Sequence, residues 1–243
     1  MIKRLSEDQQ LSEFYLVGGA SLALQIGHRK SFDIDLFCAH SFDSDKMAKH
    51  LENDYQAESL ESEKNVVHCF IGEVKLDILS HQYPWLNPPT VEEQIRLASL
   101  DDIAAMKLSA IVTNGTRYKD FVDIFALLEH RTLDQMTTAY EQKYQMLNAA
   151  IVKMCLLNHR DVKLVHKIDL LHRPVHRWYH IADRLDDAVI NPRKIYPPHL
   201  DWNTLDDSRV QDIWEEESFR YQTRRSKDED NSKGWGYGYG YGW

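Results

Sequence analysis

The stretch "FYLVGGASLALQIGHRKSFDIDLF", residues 14–37, constrains the chain more than any other. A short apolar run ends at Gly18-Gly19, a helix-like segment follows and stops at Gly27, and two aspartates, Asp33 and Asp35, then fall inside a strand-like alternation. Residues two apart in a strand share a face, so Asp33, Asp35 and Phe37 point one way while Ile34, Leu36 and Cys38 face a core. Two like charges on one strand face repel each other and are costly to desolvate, so something must compensate them.

A second strand supplies a third carboxylate. "NVVHCFIGEVKLDILS" (65–80) reads as two strands joined by a tight turn at Gly72-Glu73. In "VKLDIL", Val74, Leu76 and Ile78 form the apolar face and Asp77 the other. With both apolar faces packed down, Asp33, Asp35 and Asp77 converge, and a divalent cation with oxygen ligands, Mg²⁺ or Mn²⁺, would relieve the repulsion. Gly18 and Gly19, between strand and helix, allow backbone N–H groups close to a phosphate, and Ser21 can add a hydroxyl. Arg29 and Lys30, just before the aspartates, are placed to meet phosphate oxygens.

Beyond the breaker "YPWLNPP" (83–89) the pattern becomes helical. "SLDDIAAMKLSAIVT" offers Ser99 or Asp101 as a cap, with Ile103, Met106, Ala110 and Ile111 as an apolar stripe. Lys107 falls on that stripe and is costly to bury unless it reaches an anion, for which a nucleotide phosphate is a candidate. Further helices are expected at 118–130, 133–146, 148–158, 175–188 and 206–222. The division expected is 1–90 for a sheet core, 91–225 for a helical part that completes a cleft, and 226–243 for a disordered Gly/Tyr/Trp tail.

The two blocks "GGASLALQIGHRKSFDIDLF" and "DIAAMKLSAIVTNGTRYKDFVDIFALL" together resemble the AbiEii/AbiGii family of toxin nucleotidyltransferases, within the DNA polymerase β-like superfamily. The resemblance covers about residues 14–130. It implies an α+β fold, with a small mixed-sheet nucleotidyltransferase core, flanking helices and a helical C-terminal part. It places Gly18, Gly19 and Ser21 at the nucleotide cradle, with Ser31 ahead of the metal-binding pair Asp33 and Asp35. Lys107 matches the helical lysine, and Asp120 the acid of the "RYKDFVDI" motif, with Asp123 beside it. Ala20 stands where the family often has threonine. Asp77 rests on strand position more than on a motif.

The implied activity is Mg²⁺-dependent transfer of a nucleoside monophosphate from an NTP to an acceptor hydroxyl. The tRNA 3′ end is the implied acceptor, and an antitoxin protein the implied partner. Transfer to a protein or small-molecule hydroxyl, and a silent nucleotide- or partner-binding module, stand as alternatives. In this scheme Asp77 or Asp120 handles the proton of the attacking hydroxyl, and Lys107 and Arg29 stabilise phosphate charge.

Composition limits the rest. The formal net charge of −9 argues against a general nucleic-acid coat protein. No apolar run approaches a membrane span, "MIKRLSEDQQ" lacks a signal-peptide core, and three dispersed cysteines fit a cytoplasmic protein. His172, His176 and His180 recur every four residues, but Pro174 lies between the first two, so a partly exposed helix with Arg173 and Arg177 fits better than a zinc site. His68 and Cys69 read as strand packing residues.

Overall fold

A computed structural model describes residues 1–145, 148–158, 161–163 and 178–197. The N-terminal half alternates strands and helices in the order α1 (Ile2–Glu7), β1 (Tyr15–Leu16), α2 (Gly18–Ile26), β2 (Ile34–Cys38), α3 (Ser44–Tyr55), β3 (Glu58–Glu63), β4 (Val66–Ile71), β5 (Val74–Ser80), β6 (Thr90–Glu92) and β7 (Ile95–Leu97). Among the described residues the helices that follow are α4 (Leu100–Thr113), α5 (Tyr118–Leu127), α6 (Leu133–Lys143), α7 (Ala149–Leu157) and α8 (Trp178–Ile190). The strands form one mixed sheet in the order β3-β4-β5-β2-β1-β7-β6. Pairing is parallel between β2 and β5 and between β1 and β7, and antiparallel elsewhere. The expected α+β architecture is therefore present.

Local chemistry explains most boundaries. Asp43 caps α3 by accepting from the Lys46 N–H at 3.0 Å, and Ser99 caps α4 by accepting from Asp102 N–H at 3.1 Å. Gly27 ends α2 in the left-handed region at φ 64°, where glycine carries no Cβ penalty. The turn between β4 and β5 is the expected one, with Gly72 at φ 59°.

Three strands depart from expectation. β3, "ESLESE", is polar and sits at the sheet edge, where only Leu60 is partly buried, so no hydrophobic alternation marks it. β6 and β7 extend the sheet past residue 90, into a region expected to be helical. Their turn places Glu93 and Gln94 at φ 47° and 71°, a conformation usually signalled by Asn or Gly. The expected helix at 206–222, the tail from 226, His172, Arg173, Pro174, His176 and Arg177 lie outside the described residues.

Two apolar cores hold the molecule. One lies between the sheet and the N-terminal helices, with Leu5, Phe14, Leu36, Met47, Leu51 and Ile78 among its members. The other gathers α2 and α4–α8 around Ile103, Leu108, Phe121, Phe125, Tyr140 and Ile181. α4 is buried nearly all round rather than along one stripe, because α2, α5, α6 and α7 all pack on it. A buried ion pair ties this helical core to the loop after β5. Lys143 Nζ lies 2.8 Å from Asp102 Oδ1 and donates to the Pro84 carbonyl at 2.9 Å, while Asp102 accepts from Leu86 N–H.

Candidate active site

The sheet and the helical core meet along a cleft of about 350 Å³. Gly18 and Asp35 line its sheet side, Lys107 and Asp120 its helical side, and Phe37, His81 and Tyr144 an aromatic wall. Asp35 arrives there through the alternation of β2, whose other face buries Ile34, Leu36 and Cys38. Gly18 arrives because β1 pairs with β2 and the chain turns at once into α2. A Cβ on Gly18 would lie 2.3 Å from Asp35 Oδ2, so glycine is needed for that carboxylate to sit against the backbone.

Asp35 is the uncompensated charge of this cleft. Among the described residues no hydrogen-bond donor or ion-pair partner meets its carboxylate. Burial, the nearby Asp77 carboxylate and, less, Asp33 push its pKa up to about 6, against an opposing pull from Lys107. Asp33 lies just outside β2 and is exposed. A half-buried carboxylate without a protein cation, next to a second free carboxylate, is the donor chemistry that a hard divalent ion takes. Two oxygen ligands also leave the remaining positions to substrate and water, as Mg²⁺ requires. The residues present fit such an ion.

The helical side is compensated internally. Lys107 Nζ lies 2.8 Å from Asp120 Oδ1 and 2.7 Å from Asp123 Oδ2. Arg29 grips Asp123 with Nε at 2.6 Å and Nη2 at 3.0 Å, and His28 Nε2 lies 2.8 Å from Asp123 Oδ1. Asp120 and Asp123 are three residues apart in α5 and so present one face to α4. Burial disfavours the Asp123 anion, yet Lys107, His28 and Arg29 together hold its carboxyl well below the usual range. Burial likewise works against the Lys107 and Arg29 cations, and their acidic partners raise both pKa values in spite of it. Among the described residues Asp120 Oδ2 is buried and accepts no hydrogen bond; Arg117 Nε stands 3.3 Å away without alignment.

These contacts redraw several sequence expectations. The anion that Lys107 meets is a pair of aspartates, Asp120 and Asp123. Arg29, 4% exposed, is locked on Asp123 and is not free to meet phosphate oxygens. Ser21 is fully buried and its Oγ accepts from Gln25 Nε2 at 3.1 Å, so its hydroxyl does not reach the cleft. Gly19 packs under the Arg29 fork, where a Cβ would lie 2.1 Å from Nη2 and 3.1 Å from Ser31 Oγ, and neither Gly19 nor Ser31 lines the cleft. Asp77 stands opposite Asp35 in the β2–β5 register, but its oxygens are engaged by His68 and Lys75. His68 was not expected at a site. The two-residue turn at 72–73 pairs Ile71 with Val74, and counting outward pairs His68 with Asp77.

The aromatic wall was also not anticipated. The His81 N–H donates to the Cys38 carbonyl at 2.7 Å, which seats this residue at the end of β2, and its Nε2 lies 3.1 Å from Tyr144 Oη. Burial, with Lys143 nearby, lowers the His81 pKa to about 4, so its ring is neutral. Among the described residues no helix is long and apolar enough to cross a membrane.

The family model described as "Nucleotidyl transferase AbiEii toxin, Type IV TA system" matches residues 1–84 and 71–231. An Aquifex aeolicus protein described as uncharacterized protein aq_aa25 is 28% identical over 158 residues, 63% of this chain and 76% of its own length. Among solved structures, a candidate nucleotidyltransferase from Helicobacter pylori aligns with a TM-score of 0.47 at 17% identity, over 79% of this chain and 89% of that one. JHP933 from the same organism aligns with a TM-score of 0.46 at 18% identity, over 79% and 87%.

Proposed function

The chain belongs to the AbiEii nucleotidyltransferase toxin family of type IV toxin–antitoxin systems, and from that membership we infer that it transfers a nucleoside monophosphate from an NTP to the 3′ end of tRNA. The observation that carries this is the cleft itself, where an unpaired Asp35 faces a Lys107–Asp120 pair across a space lined by Gly18. Asp33 and Asp35 are the residues to hold Mg²⁺ or Mn²⁺. Once bound with the triphosphate, such an ion supplies charge neutralisation at the phosphates.

The other roles fall to the chain's own groups. Gly18 keeps side-chain bulk away from Asp35. Lys107 has three N–H donors, two of them spent on Asp120 and Asp123; the third is left for a phosphate oxygen. Asp120 Oδ2, buried without a hydrogen bond, accepts the hydrogen of the attacking hydroxyl and orients it. The oxygen of the acceptor hydroxyl forms the new bond to the α-phosphorus as its proton passes to Asp120 Oδ2, the bond to the β-phosphate oxygen breaks, and pyrophosphate leaves. The transfer would act in the cytoplasm, where NTP and tRNA occur together, and a cognate antitoxin would limit its effect.

The test is incubation of the full chain with each α-³²P-labelled NTP, Mg²⁺ and total tRNA, beside Asp35→Asn. Label on tRNA with wild type alone supports the assignment and identifies the base. Label on protein or on a small molecule moves the acceptor to another class. Absence of Mg²⁺-dependent NTP binding would overturn the enzymatic assignment.

A further inference from the structure

Asp77 holds two side-chain partners that the proposed chemistry does not use. Parallel pairing sets it opposite Asp35 on β2, and antiparallel pairing sets His68 on β4 opposite Asp77. Asp35, Asp77 and His68 thus form a row across three neighbouring strands. Lys75, two residues before Asp77, shares its face of β5. Lys75 Nζ donates to Asp77 Oδ2 at 2.6 Å, and His68 Nδ1 lies 2.8 Å from Asp77 Oδ1.

Both oxygens of Asp77 are therefore engaged by protein groups, whereas Asp35 meets no donor or cation among the described residues. A carboxylate held in this way can ligate a metal ion only by giving up a partner, and the arriving ion would also face the Lys75 ammonium. Asp33 and Asp35 lie close enough to Lys75 to favour its charged form, after the larger effect of Asp77. Among the described residues no three His, Cys, Asp or Glu side chains converge into a set that could hold a metal ion. Asp77, with both oxygens engaged by His68 and Lys75, does not add a third free carboxylate to Asp33 and Asp35.

We propose that Lys75 and His68 withhold Asp77 from metal coordination, and that the Lys75 ammonium supplies beside Asp35 the positive charge a second cation would bring, so that the site loads one divalent ion per chain. This rests on Asp33 and Asp35 being the cation ligands, as assigned above. His68 is then a positioning residue, acting through Asp77, and Lys75 a fixed charge that does not dissociate with the substrate.

The experiment is equilibrium dialysis of the full chain against ⁵⁴Mn²⁺ without nucleotide, with the thermal melt of each variant followed by circular dichroism. Wild type is expected to bind one ion, as is Lys75→Arg, which keeps the charge. The double variant Lys75→Met/His68→Gln is expected to bind two, and adding Asp77→Asn to it should return the count to one. Lys75 is 43% exposed, so Lys75→Met alone is expected to fold, and it should raise the Mn²⁺ count or affinity if the double variant does not fold. Two ions on wild type, or one on a folded double variant, would overturn the proposal. No ion on wild type would instead remove the cation assignment of Asp33 and Asp35, and the proposal with it.

Discussion

Asp123→Asn is the perturbation whose outcome the structure specifies most sharply. The carboxylate is fully buried and answers three groups: Arg29 at 2.6 and 3.0 Å, Lys107 at 2.7 Å, and His28 at 2.8 Å. The amide keeps the shape but removes the charge, leaving the buried Arg29 guanidinium without its anion and Lys107 with Asp120 alone. Breaking a buried pair from one side costs about 3–5 kcal/mol, since the remaining charge is uncompensated. For a chain of this size, about 2–4 °C per kcal/mol converts that to a drop in Tm of roughly 6–20 °C. Urea denaturation followed by tryptophan fluorescence measures it, with an unchanged m-value as the check that only stability moved. Removing one stranded cation should recover part of the loss, so Asp123→Asn/Lys107→Met should be more stable than the sum of the singles. The pH sign is also fixed. Because Asp123 is held below its unfolded pKa, its contribution is present above about pH 4 and disappears only as pH falls further. A loss under about 1 kcal/mol would refute the reasoning, because it would mean that Arg29 and Lys107 are not desolvated charges dependent on this anion.

Four further outcomes follow from single distances or shifts. Asp35→Asn should abolish transfer yet stabilise the metal-free fold above pH 6. With a folded pKa near 6 against an unfolded value near 3.8, the wild-type carboxylate loses up to about 3 kcal/mol as pH rises through that window, which paired urea curves at pH 4 and pH 8 would measure. Mg²⁺ should raise the Tm of wild type at pH 8 and leave that of Asp35→Asn unchanged. Gly18→Ala places a Cβ against Asp35 Oδ2 and puts alanine at φ +67°, for a cost of at least about 1–2 kcal/mol and a loss of transfer of tenfold or more, read by the melt and the labelled-NTP assay together. The His81 ring should show no NMR titration between pH 8 and pH 5. Because its pKa is lowered, folding loses up to about 3 kcal/mol as pH falls from 6.5 toward 4, a dependence that His81→Phe removes.

What the sequence made legible, and what it did not, divides along a physical line. Features set by local chemistry were readable: the β2 alternation that turns Asp35 outward, the Gly72-Glu73 hairpin, and the cap at Ser99. β3 was hidden because an edge strand needs no hydrophobic face, and the β6–β7 turn because Glu93 and Gln94 are not residues that signal left-handed backbone. For Lys107, burial implied an anion without saying which. The answer, Asp120 and Asp123, depends on how α5 packs on α4, and nothing local fixes that crossing. Arg29 was misplaced for the same reason, since its nearness to Asp33 in sequence gives no hint of a partner 94 residues away.

The resulting distribution of charge bears on function. On the helical side the buried cations Arg29, Lys107 and Lys143 are each matched by an aspartate, so the cost of desolvation there is met within the protein. On the sheet side Asp77 is matched by Lys75 and His68, but among the described residues Asp35 has no direct hydrogen-bond or ion-pair partner, only the more distant charges of Lys107 and Lys75. A site that neutralises Asp77, Asp120 and Asp123 within the protein and leaves the half-buried Asp35 carboxylate open in a cleft has left the compensating charge to come from outside. The same asymmetry predicts where stability and activity part company. Variants of Asp123 should lose both, because they strand buried cations, while variants of Asp35 should lose activity alone.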